Sequence, residues 1–527
     1  MRGLSLGRPL LLAGAGGALF LAALDAYVVV TLLPAMLFDL DLSIDRIEQA
    51  TPIISGFLAG YLVVMPLIGL ASDVHGRGRA FAGALTIFVA GSVITATAGF
   101  SGEPPYGWFG LPWLVVGRVL QGMGGGATVP IALALAADRF QPPARSTAIG
   151  AVAAVQETGS VLGPIYGAGL AALAADHGAW RAVFWLNVPL ALICAAGFFL
   201  ARRQSPGDAD LAPQEDTAAG TPARIDWLGA LLLGVGLALL VLALYPDNPG
   251  HGVVGTHFVP AGAGALVALG GWGYRQVAVL SPVIPRELIR SRQFLGSSFA
   301  NLLVGGGLMV ALVDIPIMAR GVFNLDQLGA AVLLSRFMVA VPIGALAGGW
   351  AARRLGERWA AALGLAAAAS GFFFMSRWDA GELNRHLGAV SEADLVLALT
   401  GLGFGLVIAP LAAAVLQVAD PRRQGLAASL VILVRTLGML VGLAALSAFG
   451  LQRFYELFNA GPRLTLVPGS ADFAAQKVAY EARVTQALVA EYHGIFLLAA
   501  GLCLVAALVA VLALSARSTA GTTTRSR

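Results

Sequence analysis

Charged residues and cysteine are scarce in this sequence. Acidic and basic side chains make up 12% of the 527 residues, whereas about a quarter of a typical soluble domain is charged. Apolar residues account for 58%. This composition excludes an ordinary soluble domain and indicates that lipid surrounds most of the chain. The two cysteines, Cys194 and Cys503, both lie in apolar runs, so we expect neither a disulfide framework nor a cysteine-based metal site.

Lysine and histidine are also rare, which bears on catalysis. Lys477 is the only lysine, so no glycine-rich phosphate loop ending in Gly-Lys can form, and ATP is excluded as the direct energy source. The six histidines are scattered, and none belongs to the HExxH pattern of zinc enzymes. No basic run is long enough for nucleic acid. We therefore expect no enzyme activity, no cofactor, no metal and no nucleic-acid partner.

Long apolar runs dominate what is present. Each reaches the roughly 17 residues that a spanning helix needs at minimum. They occupy residues 10–38, 51–70, 80–100, 113–137, 147–173, 180–200, 227–245, 258–274, 294–318, 328–350, 359–375, 395–418, 426–449 and 495–514. The runs predict fourteen spans in a six, two, six arrangement.

The order of the spans predicts an all-α integral membrane protein with four segments. Residues 1–201 form an N-terminal six-helix bundle, and residues 202–293 form a linker that contains two extra central helices. Residues 294–516 form a C-terminal six-helix bundle, which includes a helical hairpin at about 450–492. Residues 517–527 form a tail.

Arginines fall in alternate loops between the predicted spans, and such loops are cytoplasmic in membrane proteins. These arginines are Arg77, Arg79, Arg139, Arg145, Arg202, Arg203, Arg286, Arg290, Arg292, Arg353, Arg354, Arg358, Arg422 and Arg423. The opposite loops hold few arginines, and an even number of spans puts both termini on one side. We predict a multi-pass protein of the bacterial inner membrane with both termini in the cytoplasm and the hairpin in the periplasm.

One loop pattern occurs twice. The same spacing follows the second span of each six-span set, in Gly69, Asp73 and Gly76 and again in Gly349, Arg353 and Gly356. This weak repeat predicts two related halves. Transporters built from such repeats bind substrate near the middle of the bilayer and rock around that site.

Three motifs follow one another in the first half. They are Gly69, Asp73, Gly76, Arg77 and Arg79 in the loop, Arg118, Gln121 and Gly122 in the fourth span, and Gly159, Gly163, Pro164 and Gly167 in the fifth. Together they resemble the major facilitator superfamily. The resemblance implies the major facilitator fold, with the loop as a cytoplasmic gate and the fifth-span residues as an antiporter motif. Further strings, at Leu24 to Ala26 and at Asn187 to Pro189, resemble the fourteen-span drug:proton antiporter branch.

Longer strings narrow the resemblance to a subfamily. Those beginning at Asp25, Gln156, Leu312 and Gly438 are similar to mycobacterial triacylglyceride exporters. That resemblance implies a part in transport for Glu157 in the fifth span and for Arg435 in the penultimate span. The second loop departs from the family pattern, because Arg353 stands where an aspartate is expected. Only the first loop is therefore expected to act as a gate.

Six ionisable residues lie inside the apolar spans, namely Asp25, Arg118, Glu157, Asp314, Arg336 and Arg435. A charged group at the centre of a span costs roughly 3 kcal/mol by insertion scales and by default marks a substrate pathway or a proton relay. We interpret the acids as proton carriers and the arginines as their partners, so that making and breaking the pairs couples proton flow to transport. Static ion pairs that fix helix packing are the alternative. Pro164 predicts a kink beside Glu157, and an ordinary kink is its alternative reading.

The penultimate span extends beyond the membrane. Residues 425–458 contain no proline, and a helix of that length measures about 51 Å, against an apolar core of about 30 Å. Residues at helical spacing on two arms predict a hairpin, namely Phe454, Phe458, Phe473, Tyr480 and Val484. We hypothesise that the hairpin guides lipid to a periplasmic lipid-carrier lipoprotein. A plain long connection is the alternative.

These observations predict a proton-coupled secondary transporter that exports a large hydrophobic substrate, a triacylglyceride-like lipid, by alternating access. Its partners are protons, the hydrophobic substrate and the membrane, and we expect a monomer. A polyspecific multidrug:proton antiporter is the competing hypothesis, because cationic drugs also require buried acidic groups beside aromatic rings. A non-transporting sensor or scaffold fits worst, since it has no reason to retain six charged groups in its spans.

Overall fold

The described part of the chain folds almost entirely into α-helices. The computed structural model describes residues 7–40, 51–99, 110–141, 144–173, 180–204, 226–244, 257–388, 390–459 and 473–514. In chain order the helices are α1 (Gly7–Asp39), α2 (Thr51–His75), α3 (Arg77–Ala96), α4 (Leu111–Arg139), α5 (Ala144–Leu173), α6 (Trp180–Gln204), α7 (Trp227–Leu244), α8 (Phe258–Ala278), α9 (Arg286–Arg290), α10 (Arg292–Gly321), α11 (Gln327–Leu355), α12 (Glu357–Met375), α13 (Glu392–Val418), α14 (Gln424–Asn459) and α15 (Phe473–Ala513).

The helices explain the apolar runs of the sequence. Fourteen of the described helices have 18 residues or more, and each overlaps one predicted span. Twelve stretches of the described chain are apolar and long enough to cross a membrane, and α5 and α8 lie outside that set. A helix satisfies its backbone hydrogen bonds internally, which is what a spanning segment needs in lipid. The protein is a multi-pass helical membrane protein, while the count of fourteen spans stays a prediction.

A short β-ladder is the one described departure from the all-α prediction. Strands β1 (His386–Leu387) and β2 (Val390–Ser391) pair antiparallel between α12 and α13. Arg385 precedes the ladder and pairs with the carboxylates of Asp379, at 2.5 Å, and Glu382, at 2.8 Å. These ion pairs fix a polar loop rather than a spanning segment.

The helices group into two compact units. The first comprises Met1–Ser297 and Leu411–Leu433, and the second comprises Ser298–Pro410 and Val434–Arg527. The first unit therefore takes in the end of α13 and the start of α14. The predicted domain boundaries near residues 201 and 293 stay predictions.

Each unit has its own kind of interior. In the first, α2 and α4 approach so closely that a Cβ atom on Gly122 would lie 2.0 Å from the carbonyl oxygen of Phe57. Small residues allow such contacts between spanning helices. In the second, the Phe372 ring packs against those of Phe404 and Phe496, at centroid distances of 5.8 and 6.1 Å.

Candidate transport site

The structure brings Asp25 of α1 and Arg118 of α4 together inside the first unit. Arg118 Nη1 donates a hydrogen bond of 2.8 Å to Asp25 Oδ2. Both side chains are closed off from the surface, with 0% of Asp25 and 1% of Arg118 exposed. A buried ion pair needs further hydrogen bonds to offset the loss of hydration. Neighbouring side chains provide them.

Two amides complete the shell around the Asp25 carboxylate. Asn187 Nδ2, on α6, donates to Oδ1 at 2.6 Å, and Gln121 Nε2, one helical turn beyond Arg118, donates to the same oxygen at 3.2 Å. Gln121 also donates to Ser92 Oγ at 3.0 Å and accepts from Thr95 Oγ1 at 3.0 Å, both on α3. One carboxylate thus ties helices α1, α3, α4 and α6 into a single polar network.

The guanidinium of Arg118 also contacts an aromatic ring. Its Cζ atom lies 4.4 Å from the centroid of Phe57, which is close enough for a cation–π interaction. Within the described chain, Arg118 Nε and Asn187 Oδ1 have no hydrogen-bond partner. The network therefore keeps one unused donor and one unused acceptor after the Asp25 carboxylate has received its hydrogen bonds.

The first loop motif forms a second polar site, at the end of α2. Asp73 Oδ1 and Oδ2 accept hydrogen bonds of 2.9 Å from the backbone N–H groups of Gly425 and Leu426. These groups belong to the first turn of α14, whose N–H groups have no partner within the helix. The aspartate therefore caps α14 from a distant part of the chain, where the helix dipole favours a negative charge.

Arg77 holds that aspartate in place. Its Nη1 atom lies 2.5 Å from Asp73 Oδ1 and donates to Ser72 Oγ at 2.6 Å, while Nε donates to Asp138 Oδ2 of α4 at 3.2 Å. Arg79 of the same motif is exposed. A Cβ atom on Gly425 would lie 2.4 Å from both Arg77 Nη1 and Ser72 Oγ, so a side chain at this position would displace the groups that hold Asp73.

The glycines that end the two repeated loops have the same backbone conformation. Gly76 has φ 86° and ψ 147°, and Gly356 has φ 86° and ψ 159°. Residues with a side chain rarely adopt these angles. Arg353, in contrast, is exposed at the position that corresponds to Asp73. The loops share their backbone turn but not the aspartate cap.

The residues of the fifth-span motif pack against α1. A Cβ atom on Gly159 would lie 2.5 Å from the carbonyl oxygen of Phe20, and one on Gly163 would lie 2.7 Å from that of Leu24. Gly167 is buried, and α5 continues as one helix through Pro164. The motif therefore sets how closely α5 approaches the helix that carries Asp25. Glu157, two residues before Gly159, is half-buried.

A family model decides the identity of the fold. The model of the major facilitator superfamily matches residues 15–443, which is more than half of the chain. The chain belongs to the major facilitator superfamily. This membership makes it a membrane transporter, and the predicted resemblance is confirmed.

Several curated relatives of this major facilitator protein are named triacylglyceride transporters. A triacylglyceride transporter of Mycolicibacterium hassiacum is 40% identical over 95% of this chain and 91% of its own length. One of Mycobacterium tuberculosis strain H37Rv is 38% identical over 96% of this chain and 94% of its own. The predicted resemblance to mycobacterial triacylglyceride exporters is confirmed at the level of sequence.

Solved major facilitator structures share the fold at low identity. A proton:xylose symporter aligns with a TM-score of 0.58 and 14% identity, over 94% of each chain. A human organic anion transporter aligns with a TM-score of 0.57 and 17% identity, over 94% of this chain and 99% of its own.

In the second unit of this transporter, the predicted charged residues have separate surroundings. Arg336 Nε pairs with Asp394 Oδ1 at 3.0 Å, and the two side chains are 35% and 34% exposed. Asp394 was not among the predicted acids. Asp314 is half-buried on α10, and Arg435 is half-buried on α14. Arg336 therefore does not join the group that the sequence analysis placed it in.

The two long helices α14 and α15 carry the residues of the predicted hairpin. The Phe458 ring contacts those of Phe454, at 5.7 Å between centroids, and Tyr480, at 5.6 Å. Val484 is half-buried, and the side chain of Phe473 lies outside the described residues. The contact between Phe458 and Tyr480 joins the two helices. Its location in the periplasm stays a prediction.

Several contributors to these sites escaped the sequence analysis. The sequence analysis named Gln121 and Asn187 only as members of family motifs, without a role. It did not name Ser92 or Thr95, because nothing in the sequence distinguishes them from other polar residues in spans. The backbone N–H groups that Asp73 binds have no side-chain signature. Within the described part of the chain, no group of three or more His, Cys, Asp or Glu side chains could hold a metal ion.

Proposed function

We propose that this transporter exports a triacylglyceride-like lipid across the bacterial inner membrane, driven by protons and by alternating access. The buried ion pair between Asp25 and Arg118 is the observation that supports proton coupling. The sequence identity of 38–40% with triacylglyceride transporters, over at least 95% of this chain, supports a triacylglyceride-like substrate. We further propose that both termini are cytoplasmic and that the protein works as a monomer.

Asp25 has the chemistry of a coupling group. Its carboxylate accepts from Arg118, Gln121 and Asn187, which lie on two other helices. Hydrogen bonds to an ionised group are roughly twice as strong as neutral ones. Protonation of Asp25 would remove that charge assistance and loosen α1 from α4 and α6. Loss of the proton would draw the helices together again.

The Asp73 site supplies a second element that alternating access needs. A carboxylate that caps α14 through two N–H groups holds the start of that helix against the end of α2. We propose that these bonds form in one access state and break in the other. The antiporter motif at Gly159 and Gly163, which packs on α1, would transmit the movement of α1 to α5.

The predicted hairpin extends the proposal to lipid release. Phe458 and Tyr480 join α14 and α15 through an aromatic contact. Aromatic and aliphatic side chains along such helices offer an apolar path to acyl chains. We propose that the hairpin stands in the periplasm and passes lipid to a carrier lipoprotein. Phe458→Ala should then slow lipid transfer to an added acceptor, while Lys477→Gln, at an exposed position on α15, should not.

Reconstitution in liposomes tests the main proposal. A proton gradient is imposed, and the movement of a labelled triacylglyceride and of the lipophilic cation ethidium is followed side by side. The wild type is compared with Asp25→Asn and Glu157→Gln. Asp379→Asn, in an exposed ion pair of the loop between α12 and α13, serves as the matched control. We expect gradient-dependent lipid movement in the wild type and the control, and its loss in Asp25→Asn.

The other outcomes separate the rival functions. Lipid movement that ignores the gradient in every variant would leave a lipid transporter without proton coupling. Ethidium efflux without lipid movement would replace the proposal with a multidrug:proton antiporter. Failure to move either molecule at any gradient would point to a non-transporting membrane protein.

A further inference from the structure

The two amides that bind Asp25 are held with different firmness. Gln121 Nε2 donates to Asp25 Oδ1 at 3.2 Å and to Ser92 Oγ at 3.0 Å. Gln121 Oε1 accepts from Thr95 Oγ1 at 3.0 Å and from Arg118 Nη1 at 3.1 Å. Turning this amide over would break all four hydrogen bonds. Gln121 is therefore fixed in one orientation.

Asn187 is held by fewer bonds. Its Nδ2 atom donates to Asp25 Oδ1 at 2.6 Å and to Ser92 Oγ at 3.4 Å, which is long for a hydrogen bond. Its Oδ1 atom has no hydrogen-bond partner in the described part of the chain, although the residue is 0% exposed. Most buried polar atoms have a partner, so an unused acceptor next to a buried carboxylate needs a physical reason.

A proton on Asp25 would create a need for an acceptor. An ionised carboxylate only accepts hydrogen bonds, whereas a protonated carboxyl group also donates one. The three side chains bonded to Asp25 all act as donors to it. A new O–H group in this arrangement would meet only N–H groups, and a buried donor without an acceptor is costly.

Asn187 is the side chain of the network that can supply this acceptor. Asp25 Oδ2 faces Arg118, whose guanidinium contains only donors. Asp25 Oδ1 faces the fixed amide of Gln121 and the amide of Asn187. A half-turn about the Cβ–Cγ bond of Asn187 exchanges its Nδ2 and Oδ1 atoms. The present spacing of 2.6 Å also suits an O–H···O hydrogen bond, whose range is about 2.5–3.0 Å.

Ser92 can follow the same exchange. Its Oγ atom accepts from Gln121 Nε2 and from Asn187 Nδ2. A hydroxyl group has one donor and two acceptor positions, and its hydrogen rotates to suit its neighbours. After the half-turn, Ser92 Oγ can keep the bond from Gln121 and donate to the Asn187 oxygen. Each orientation leaves one end of the Asn187 amide without a described partner, so the charge of Asp25 decides between them.

The other ionisable groups near Asp25 do not take part in these hydrogen bonds. Among the described residues, Arg118 is the charged group that pairs with the carboxylate. Tyr166 on α5 interacts with it electrostatically but donates no hydrogen bond to it. Away from the helix ends, the remaining ionisable side chains of α1, α4, α5 and α6 are Tyr27, Glu157 and Cys194, all half-buried. The bonds that respond directly to a proton on Asp25 are therefore those of the network itself.

We propose that the Asn187 amide turns over when Asp25 takes up a proton, and that Asn187 is a positioning residue which then accepts a hydrogen bond from the new O–H group at Asp25 Oδ1. The step takes up one proton, forms one O–H bond and rotates one amide, while no other covalent bond changes. Loss of the proton reverses it. The inference rests on the proposed proton coupling at Asp25 and deepens it, because the amide links the charge of α1 to hydrogen bonds on α3 and α6.

Infrared difference spectroscopy of labelled protein observes the carboxyl group and the amide together. The full chain carries 13C in the side-chain carbonyl of its six asparagines and is placed in lipid nanodiscs. It is titrated from about pH 4 to about pH 9, which brackets ordinary carboxyl groups and many perturbed ones. We expect the Asp25 carboxyl band and the Asn187 amide band to change with one midpoint. The amide band should move to lower frequency on protonation, because its oxygen gains hydrogen bonds.

Variants assign the two bands. A labelled band that is missing from both Asn187→Gln and Asn187→Ser belongs to Asn187, and either variant suffices if the other does not fold. Both pH-dependent changes should vanish in Asp25→Asn. Asn384→Ser removes an exposed labelled amide from the loop between α12 and α13 and should leave both bands unchanged. Ser92→Ala should reduce the amide shift at low pH and leave the band at high pH in place, because Ser92 donates to the oxygen only after the half-turn.

The outcomes separate the amide flip from proton coupling. An Asp25 carboxyl band that titrates, while the Asn187 amide band stays fixed or moves to higher frequency, would overturn the flip and leave the proposed coupling intact. A titration without any carboxyl band that depends on Asp25 would overturn both. Two bands with a common midpoint that both vanish in Asp25→Asn would support the flip, whatever lipid the protein moves.

Discussion

The ion pairs of the two units differ in burial. In the first unit, the Asp25 carboxylate is matched by the guanidinium of Arg118 and two amides, and both partners of the pair are closed off from the surface. In the second, Arg336 pairs with Asp394, and the two side chains are 35% and 34% exposed. A matched buried pair resists separation because either partner alone is costly to bury. An exposed pair is screened by water and contributes little to stability. Burial therefore decides which of the two pairs holds its helices together.

The two repeated loops share a backbone turn but differ in their contacts. Gly76 and Gly356 share a φ of 86°. Asp73, in the last turn of α2, accepts a hydrogen bond from the start of α14, whereas Arg353 is exposed. A repeat in sequence spacing therefore preserves the turn and leaves the contact free to differ.

The largest expected effect breaks the matched pair. Arg118→Gln should lower the free energy of unfolding by about 3–5 kcal/mol, because it leaves the Asp25 carboxylate buried without its cation. Denaturant titration in detergent micelles measures this. The double variant Asp25→Asn with Arg118→Gln should recover much of the loss. If the double variant is as unstable as the sum of both single variants, the two residues do not act as a pair.

Replacing the turn glycines tests what the two loops share. Gly76→Ala and Gly356→Ala should each cost about 1–3 kcal/mol, since alanine is strained at these backbone angles. Gly83→Ala on α3 is the control, because a Cβ atom there would meet nothing within 4 Å. Thermal unfolding of the three variants gives the comparison. A cost at only one of the two turn glycines would contradict their equivalence.

Neutralising the cap tests what the loops do not share. Asp73→Asn should weaken the start of α14 by about 1–2 kcal/mol, because the charge at the helix N-terminus is lost. Hydrogen exchange of peptides that cover Gly425 and Leu426 should accelerate accordingly. Arg353→Ala, at the corresponding position of the other loop, should leave exchange throughout the chain nearly unchanged. Equal effects of the two variants would refute the assignment of the cap to one loop.

The smallest effect sharpens the contrast between buried and exposed pairs. Arg336→Gln should change the free energy of unfolding by less than about 1 kcal/mol, because its pair with Asp394 is about one-third exposed and screened by water. Denaturant titration in detergent micelles, as for Arg118→Gln, measures this change. A loss as large as that of Arg118→Gln would mean that Arg336 belongs to a buried network after all.

Hydropathy and charge predicted more of the fold than of the site. Apolar runs located every long helix that the structure describes, and a charge inside an apolar run was enough to single out Asp25 and Arg118. Their partners could not be predicted in the same way. Gln121 and Asn187 are neutral and disturb an apolar run little, so only the packing of α4 and α6 against α1 assigns them to Asp25.

Position along a helix explains the remaining differences. Asp394 lies at the edge of a predicted span, where a charge is ordinary and gives no signal. The partner of Asp73 is a pair of backbone N–H groups, which every residue except proline carries. Arg336 was grouped with the buried acids because its span is apolar, yet its side chain reaches the start of α13 instead.

Simultaneous recording of lipid and proton movement tests the central claim most directly. Proteoliposomes with a trapped pH dye receive a gradient of labelled triacylglyceride and no imposed proton gradient. Our account predicts that lipid movement drives a proton current of opposite direction in the wild type, and that Asp25→Asn abolishes it. Lipid movement at a normal rate with no change in internal pH would contradict the account.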